Sequence, residues 1–210
     1  MSEAAITEAS LGPRASRPHL YWHHRGYLPH FDNRALVQTV TFRLVDSLPR
    51  SVYEQIAADS AEDFERRRRL DAMLDEGRGD CLLRNPHFAR TVACALEYFD
   101  GERYSLLAWV IMPNHVHVLI EQIEGFPLGD VVSSWKSFAA KAVNKLRGWR
   151  GTVWAPDYFD RFIRNERHFA NAVSYIENNP VLAGLVTKPE DWGFSSAARR
   201  NAGGTPAVPG

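Results

Sequence analysis

Residues 112–120 read Met-Pro-Asn-His-Val-His-Val-Leu-Ile, so two histidines, His115 and His117, stand one residue apart in a β-branched run. Successive side chains on a strand leave on opposite faces, which puts both imidazoles on one face and Val116, Val118 and Ile120 on the other. Such a pair is a two-pronged grip for a divalent metal, usable in hydrolysis and in phosphoryl transfer alike. A catalytic metal commonly takes at least three protein ligands, so a third must come from elsewhere in the chain. The segment 174–180, Ser-Tyr-Ile-Glu-Asn-Asn-Pro, offers it. Tyr175 and Asn179 are four residues apart and share one face of a helix, where Asn179 presents an amide oxygen and Tyr175 a phenol beside it.

The elements that must position these groups follow from periodicity. Residues 35–44 are rich in β-branched types, with Val40, Phe42 and Leu44 on one face, and predict a strand. Residues 51–76 are highly charged and predict one or two solvent-washed helices closed by Gly77 and Gly79. Asn85-Pro86 opens a helix with apolar Phe88, Val92, Leu96 and Phe99, stopped at Asp100-Gly101. Strands follow at 104–112 and 115–121, joined by a Pro113-Asn114 turn. A helix over 128–146 carries Val132, Trp135, Phe138, Ala139, Ala142 and Val143, a short strand covers 159–163, and a last helix over 166–178 is cut off by Pro180. This order is that of an α+β, ferredoxin-like (split β-α-β) antiparallel sheet with a charged helical insertion (51–80) and an additional C-terminal catalytic helix. Two helices cover one sheet face, and the histidines belong to the other.

The 210 residues, 45% hydrophobic, suffice for one domain over 18–200, with small, polar and Gly/Pro-rich tails at 1–17 and 201–210 expected to be disordered. Residues 21–31 read as an ordered aromatic, histidine-rich arm. Charge is balanced, 25 basic against 25 acidic residues, which argues against coating nucleic acid by charge alone. Between 131 and 170, however, Lys136, Lys141, Lys145, Arg147, Arg150, Arg161, Arg164 and Arg167 face only Asp157, Asp160 and Glu166, a stretch suited to a phosphate backbone. Two cysteines are too few for a disulfide scaffold or a cysteine zinc site, and Cys94 is expected in the core. With no leader-like start and no spanning run, a cytoplasmic protein with no membrane partner is expected.

Beyond the histidine string, which begins at Trp109, the chain carries Trp135-Lys-Ser-Phe, Val153-Trp-Ala-Pro, Asp160-Arg-Phe-Ile-Arg-Asn-Glu, Tyr175-Ile-Glu-Asn-Asn-Pro-Val-Leu-Ala-Gly-Leu and Trp192-Gly-Phe-Ser-Ser. In that order these resemble the REP-associated tyrosine transposases, of the single-tyrosine HUH superfamily of IS200-like elements, over roughly residues 25–199. The departures are the charged insertion and the tails. The resemblance implies that His115 and His117 hold a divalent ion, Mg2+ or Mn2+, and that Tyr175 attacks a single-stranded DNA phosphodiester. The products would be a 5′-phosphotyrosine and a free 3′-hydroxyl. It implies Asn179 as third ligand, with Asn178 and Glu177 as alternatives because a residue before proline is pushed out of helical geometry. It also implies a REP-type hairpin substrate and a monomer, with a homodimer as the other arrangement. Lys136 and Arg164, in motifs flanking the site, and Arg161, in the basic stretch, are the expected DNA contacts.

Rival readings are specific. In histidine-triad hydrolases the strand alternates three histidines, the last being the nucleophile, and here that position is Leu119. Tyr158 is the competing phenol. His23, His24 and His30 are too irregularly spaced for a metal site, and Arg66 to Arg69 read as a solvated face balanced by Glu62, Asp63, Glu65 and Asp71. A non-catalytic single-strand binding module, stacking bases on Trp109 or Phe42, is the second functional class.

Overall fold

The computed structural model describes residues 21–24, 29–32, 36–58 and 63–201. The tail at 1–17 and residues 202–210 lie outside them. Strands β1 (Tyr21–His24) and β2 (Pro29–Asp32) pair antiparallel, so the described parts of the arm expected at 21–31 are two paired strands. Next come β3 (Val37–Arg43), α1 (Arg50–Ala58), α2 (Asp63–Asp75), α3 (Pro86–Glu97), β4 (Tyr104–Ile111) and β5 (His115–Gln122). The chain continues through α4 (Leu128–Arg147), β6 (Phe159–Phe162), α5 (Glu166–Leu182) and α6 (Ser196–Asn201).

Four strands pair antiparallel in the order β4-β5-β3-β6, the split β-α-β arrangement. Strand alternation assigns the two faces. Val40, Phe42, Val116, Val118, Ile120, Trp109 and Ile111 pack under α3 and α4 against Val92, Leu96, Val132, Trp135 and Val143. Burial of this set supplies the main driving force for folding. Trp109 and Phe42 are thus core residues, 4% and 1% exposed, and are not platforms for bases. Phe138, expected among the buried positions of α4, is 54% exposed. Cys94 is likewise exposed, because Val92, Ala93 and Leu96 occupy the inward stripe of α3.

On the second face Ala108, Val110, Met112 and Leu119 are covered by Ala172 and Ile176 of α5. Asn165 caps this helix, its side chain accepting from the His168 amide at 2.9 Å. The helix does not stop before Pro180 as the sequence rule suggests; it runs through Pro180 to Leu182. Proline there forfeits one backbone hydrogen bond, but Asn179 and Pro180 are buried in the fold, and Ala183 N–H to Asn179 O closes the last turn at 2.9 Å. Asn179 therefore keeps helical register with Tyr175. Downstream, Phe194 O accepts from Ile111 N–H and Trp192 Nε1 donates to Ile111 O, so the Trp192-Gly-Phe-Ser-Ser motif seals the edge of β4.

The insertion is not simply washed by solvent. Leu70 and Leu74 of α2 are fully buried with Leu48. The β4-β5 turn grips the end of α2, since Asn114 Nδ2 donates to Leu74 O at 3.1 Å and Arg78 O at 3.0 Å. Among the described residues no helix is long and apolar enough to cross a membrane. Asn114 is 1% exposed, and its side chain makes three hydrogen bonds including one with His115. Removing a buried polar partner costs about 1–3 kcal/mol, so Asn114→Ala is expected to lower unfolding free energy by about 3 kcal/mol in urea titration. A loss below about 1 kcal/mol would show that the turn and α2 are not coupled through this side chain.

Candidate active site

The strand pair that carries the histidines also orients them. Thr41 lies opposite His117 in the β3-β5 register, and Thr41 Oγ1 sits 2.8 Å from His117 Nδ1. His115 Nδ1 is 2.8 Å from Asn114 Oδ1. Because Asn114 Nδ2 is spent on two carbonyls, its Oδ1 faces His115 and can only accept. His115 therefore donates from Nδ1 and leaves Nε2 as a lone pair. The two Nε2 atoms point at each other across 3.0 Å, with His115 0% and His117 3% exposed. Burial, then the neighbouring His117, push the His115 pKa well below the usual imidazole range, so the ring stays neutral.

This geometry fits a divalent cation. Ligands at about 2.1 Å and about 90° apart on an octahedral ion stand about 3.0 Å from each other. Outer hydrogen bonds at both Nδ1 atoms are the usual way of orienting metal-bound imidazoles. Asn179 is 0% exposed; its amide lies beside the Tyr175 hydroxyl, yet neither of its polar atoms makes a hydrogen bond of good geometry, an arrangement costly unless something else binds there. The alternatives to Asn179 are engaged elsewhere. Glu177 accepts from Ser196 Oγ at 2.6 Å and pairs with Arg200, while Asn178 is half-buried and donates to Ser174 O at 2.8 Å. Among the described residues no three His, Cys, Asp or Glu side chains form a metal cage, so any such site depends on the amide.

Helix α5 brings Tyr175 to the pair, with its ring edge-on to His117 at 5.7 Å between centroids. Its hydroxyl donates to Asp71 Oδ2 at 2.9 Å. Burial, then Asp71, hold the phenol well above its ordinary pKa. Tyr158, the competing phenol, belongs instead to the core under the helices. Leu119, where a third alternating histidine would stand, is buried against α5.

The charged insertion contributes what the sequence reading missed. Asp71 is not part of a solvated face; it is 7% exposed and reaches Tyr175. Asp75 Oδ1 lies 3.7 Å from His115 Nε2. Burial, then Asp71, push the Asp75 carboxyl up to about 7. Arg68, Asp71, Ala72 and Asp75 line one cavity of about 650 Å³ together with His117 and Tyr175. Their i, i+3, i+4, i+7 spacing is the signal that marks a single helix face.

The expected DNA contacts separate. Arg161, across the β3-β6 pairing from Thr39, lines the cavity, as do Arg167 of the same basic stretch and His168, a residue the sequence reading left without a role. Arg164 is exposed, its guanidinium 5.3 Å from the Phe162 ring centroid. Lys136 does not line this cavity. Its ammonium donates to Ala155 O at 2.7 Å and Pro156 O at 2.8 Å, pinning the loop before β6. Burial lowers its pKa to about 8.

Residues 81–179, which begin just after α2 and end at Asn179, match the family model described as Transposase IS200 like. A REP-associated tyrosine transposase of Escherichia coli (strain K12) is 33% identical over 96 residues, covering 46% of this chain and 56% of that protein. A putative REP-associated tyrosine transposase of Haemophilus influenzae is 24% identical over 106 residues, covering 46% and 60%. The chain thus spans little more than half the length of these curated relatives. A solved REP-associated tyrosine transposase bound to a REP hairpin superposes with a TM-score of 0.54 at 22% identity, over 83% of this chain and 84% of that one, which shows the shared fold. The motif resemblance and these comparisons name the same family.

The acidic pair has a measurable consequence. A carboxyl whose pKa is about 7 in the folded protein and about 4 unfolded binds more protons when folded between those values. Its contribution is fully present below pH 4 and is lost as pH rises through 7. The depressed His115 acts oppositely, its contribution being lost as pH falls below about 6.5. Comparison with Asp75→Asn separates the two: for metal-free protein the melting temperature of the variant, relative to the parent, should rise from pH 4 to about pH 7 and level off above it. A pH-independent difference would mean that Asp75 is not held protonated.

Proposed function

We propose that this chain, similar over residues 81–179 to the IS200-like transposases, is a metal-dependent single-stranded DNA endonuclease and strand transferase with Tyr175 as nucleophile. The observation that carries the reading is the convergence of two buried imidazole Nε2 atoms, a buried amide with no well-formed hydrogen bond and a phenol on two facing elements. His115, His117 and Asn179 would hold the divalent ion. Bound there, Mg2+ or Mn2+ supplies charge stabilisation for a phosphoryl oxygen and an in-line template.

The chain's own residues account for the rest. Tyr175 attacks phosphorus, the bond to the 3′-oxygen breaks, and a 5′-phosphotyrosine stores the bond energy so that rejoining needs no nucleotide. Asn165 and the Asn165-capped start of α5, with Arg161, Arg167 and His168, border the cavity where the strand's phosphates would lie. Its volume of about 650 Å³ falls within the usual range of ligand clefts, about 300–1,000 Å³. The structurally similar protein solved with a REP hairpin supports hairpin-bearing DNA as the substrate. Residues 18–200 would act as one domain, as a monomer.

Incubating the protein with Mg2+ and a labelled hairpin oligonucleotide should yield a covalent species on a denaturing gel. That species should vanish in Tyr175→Phe, and EDTA should abolish it reversibly. Binding without any covalent product, unchanged by Tyr175→Phe, would establish the non-catalytic module instead. His117→Ala should weaken Mn2+ binding in calorimetry by at least about tenfold, the usual scale for disturbing a metal site, with the hairpin still bound. Unaltered Mn2+ affinity would remove the histidine pair from the metal assignment.

A further inference from the structure

We propose that Asp71 of the inserted helix α2 is the proton acceptor for Tyr175 when the DNA strand is cut, an inference that rests on Tyr175 being the nucleophile. A phenol has a pKa near 10 and attacks poorly at neutral pH unless a base takes its proton. Burial makes this phenol still harder to ionise by itself. Its hydroxyl is committed to Asp71 Oδ2 at 2.9 Å, the contact distance required of a general base.

The carboxylate is built into place. Leu70 and Leu74 on either side of it are fully buried, and Asn114 ties the end of α2 to the turn that bears the histidines. Asp71 Oδ1 is buried without a hydrogen-bond partner, so nothing else draws on its charge through that oxygen. Asp75 faces it from the same helix and Tyr175 from α5, while Arg68, one turn earlier, borders the same cavity. The segment lies before residue 81, where the family-model match begins.

In the cutting step the Tyr175 Oη–phosphorus bond forms, the phosphorus–O3′ bond breaks, and the hydroxyl proton passes to Asp71 Oδ2. The departing 3′-oxygen takes a proton from water, and Asp71 returns its own to solvent. In rejoining, a 3′-hydroxyl attacks phosphorus and gives its proton to water, the Tyr175 Oη–phosphorus bond breaks, and Asp71, reprotonated from solvent, supplies the proton to the leaving phenolate.

The test is single-turnover formation of the covalent adduct with hairpin DNA in the parent, Asp71→Asn and Asp71→Glu, alongside hairpin affinity by fluorescence anisotropy. Loss of a general base costs about 10²–10⁴ in rate. Asp71→Asn should slow adduct formation at least 100-fold with affinity changed less than threefold, and Asp71→Glu should recover part of the rate. Replacing Tyr175 with 3,5-difluorotyrosine, a more acidic phenol, should restore at least tenfold in Asp71→Asn and little in the parent. An Asn variant as fast as the parent, a Glu variant no faster than Asn, or no recovery with the fluorinated phenol overturns the role of Asp71. Absence of adduct in the parent itself overturns the Tyr175 reading instead.

Discussion

Two imidazoles buried side by side with their Nε2 atoms 3.0 Å apart impose the constraint to which the rest of the molecule answers. Neither ring can be charged in that position at low cost, and each Nδ1 needs a partner within the protein. Thr41 can meet one need only if β3 pairs with β5 in the observed register, and Asn114 meets the other only from the β4-β5 turn. A slip of one residue would send both histidines into the aliphatic core and expose Val116 and Val118 in their place. The core beneath α3 and α4 and the site above it are thus two faces of one decision about register.

The second face is divided by charge. Next to the histidines stand Asp71 and Asp75, both supplied by α2, which favour a cation. Farther along the same cavity stand Arg68, Arg161 and Arg167, which favour a phosphate chain. Fields of opposite sign within one cleft suit a cation and a polyanion held in fixed relative positions, the condition for stabilising charge that develops during bond exchange.

The histidine face was legible because a strand's period of two is rigid, and the split β-α-β order was legible because each element announces itself by periodicity and caps. Tyr175 and Asn179 could be paired by helical spacing alone. The helix boundary at Pro180 misled, since the local rule weighs one lost hydrogen bond and not the burial of Asn179 and Pro180 that outweighs it. Asp71 hid in a run of charges whose nearest partners in sequence are other charges. Its true partner is 104 residues away, and only the docking of Leu70 and Leu74 reveals it. Lys136 shows the converse: a basic residue in the right motif is drawn off by carbonyls of a loop that folds back on it.

Strand β3 lies between β5 and β6, with Thr41 opposite His117 on one side and Thr39 opposite Arg161 on the other. Neighbouring strands in a sheet are about 4.8 Å apart and Thr39 and Thr41 stand about 6.8 Å apart along β3, so the backbone positions bearing the imidazole and the guanidinium are separated by about 12 Å. That interval is set by main-chain hydrogen bonds and is indifferent to side-chain flexibility. The sheet is therefore a ruler, and a strand laid across it would be measured from arginine to histidine in a length the protein cannot adjust.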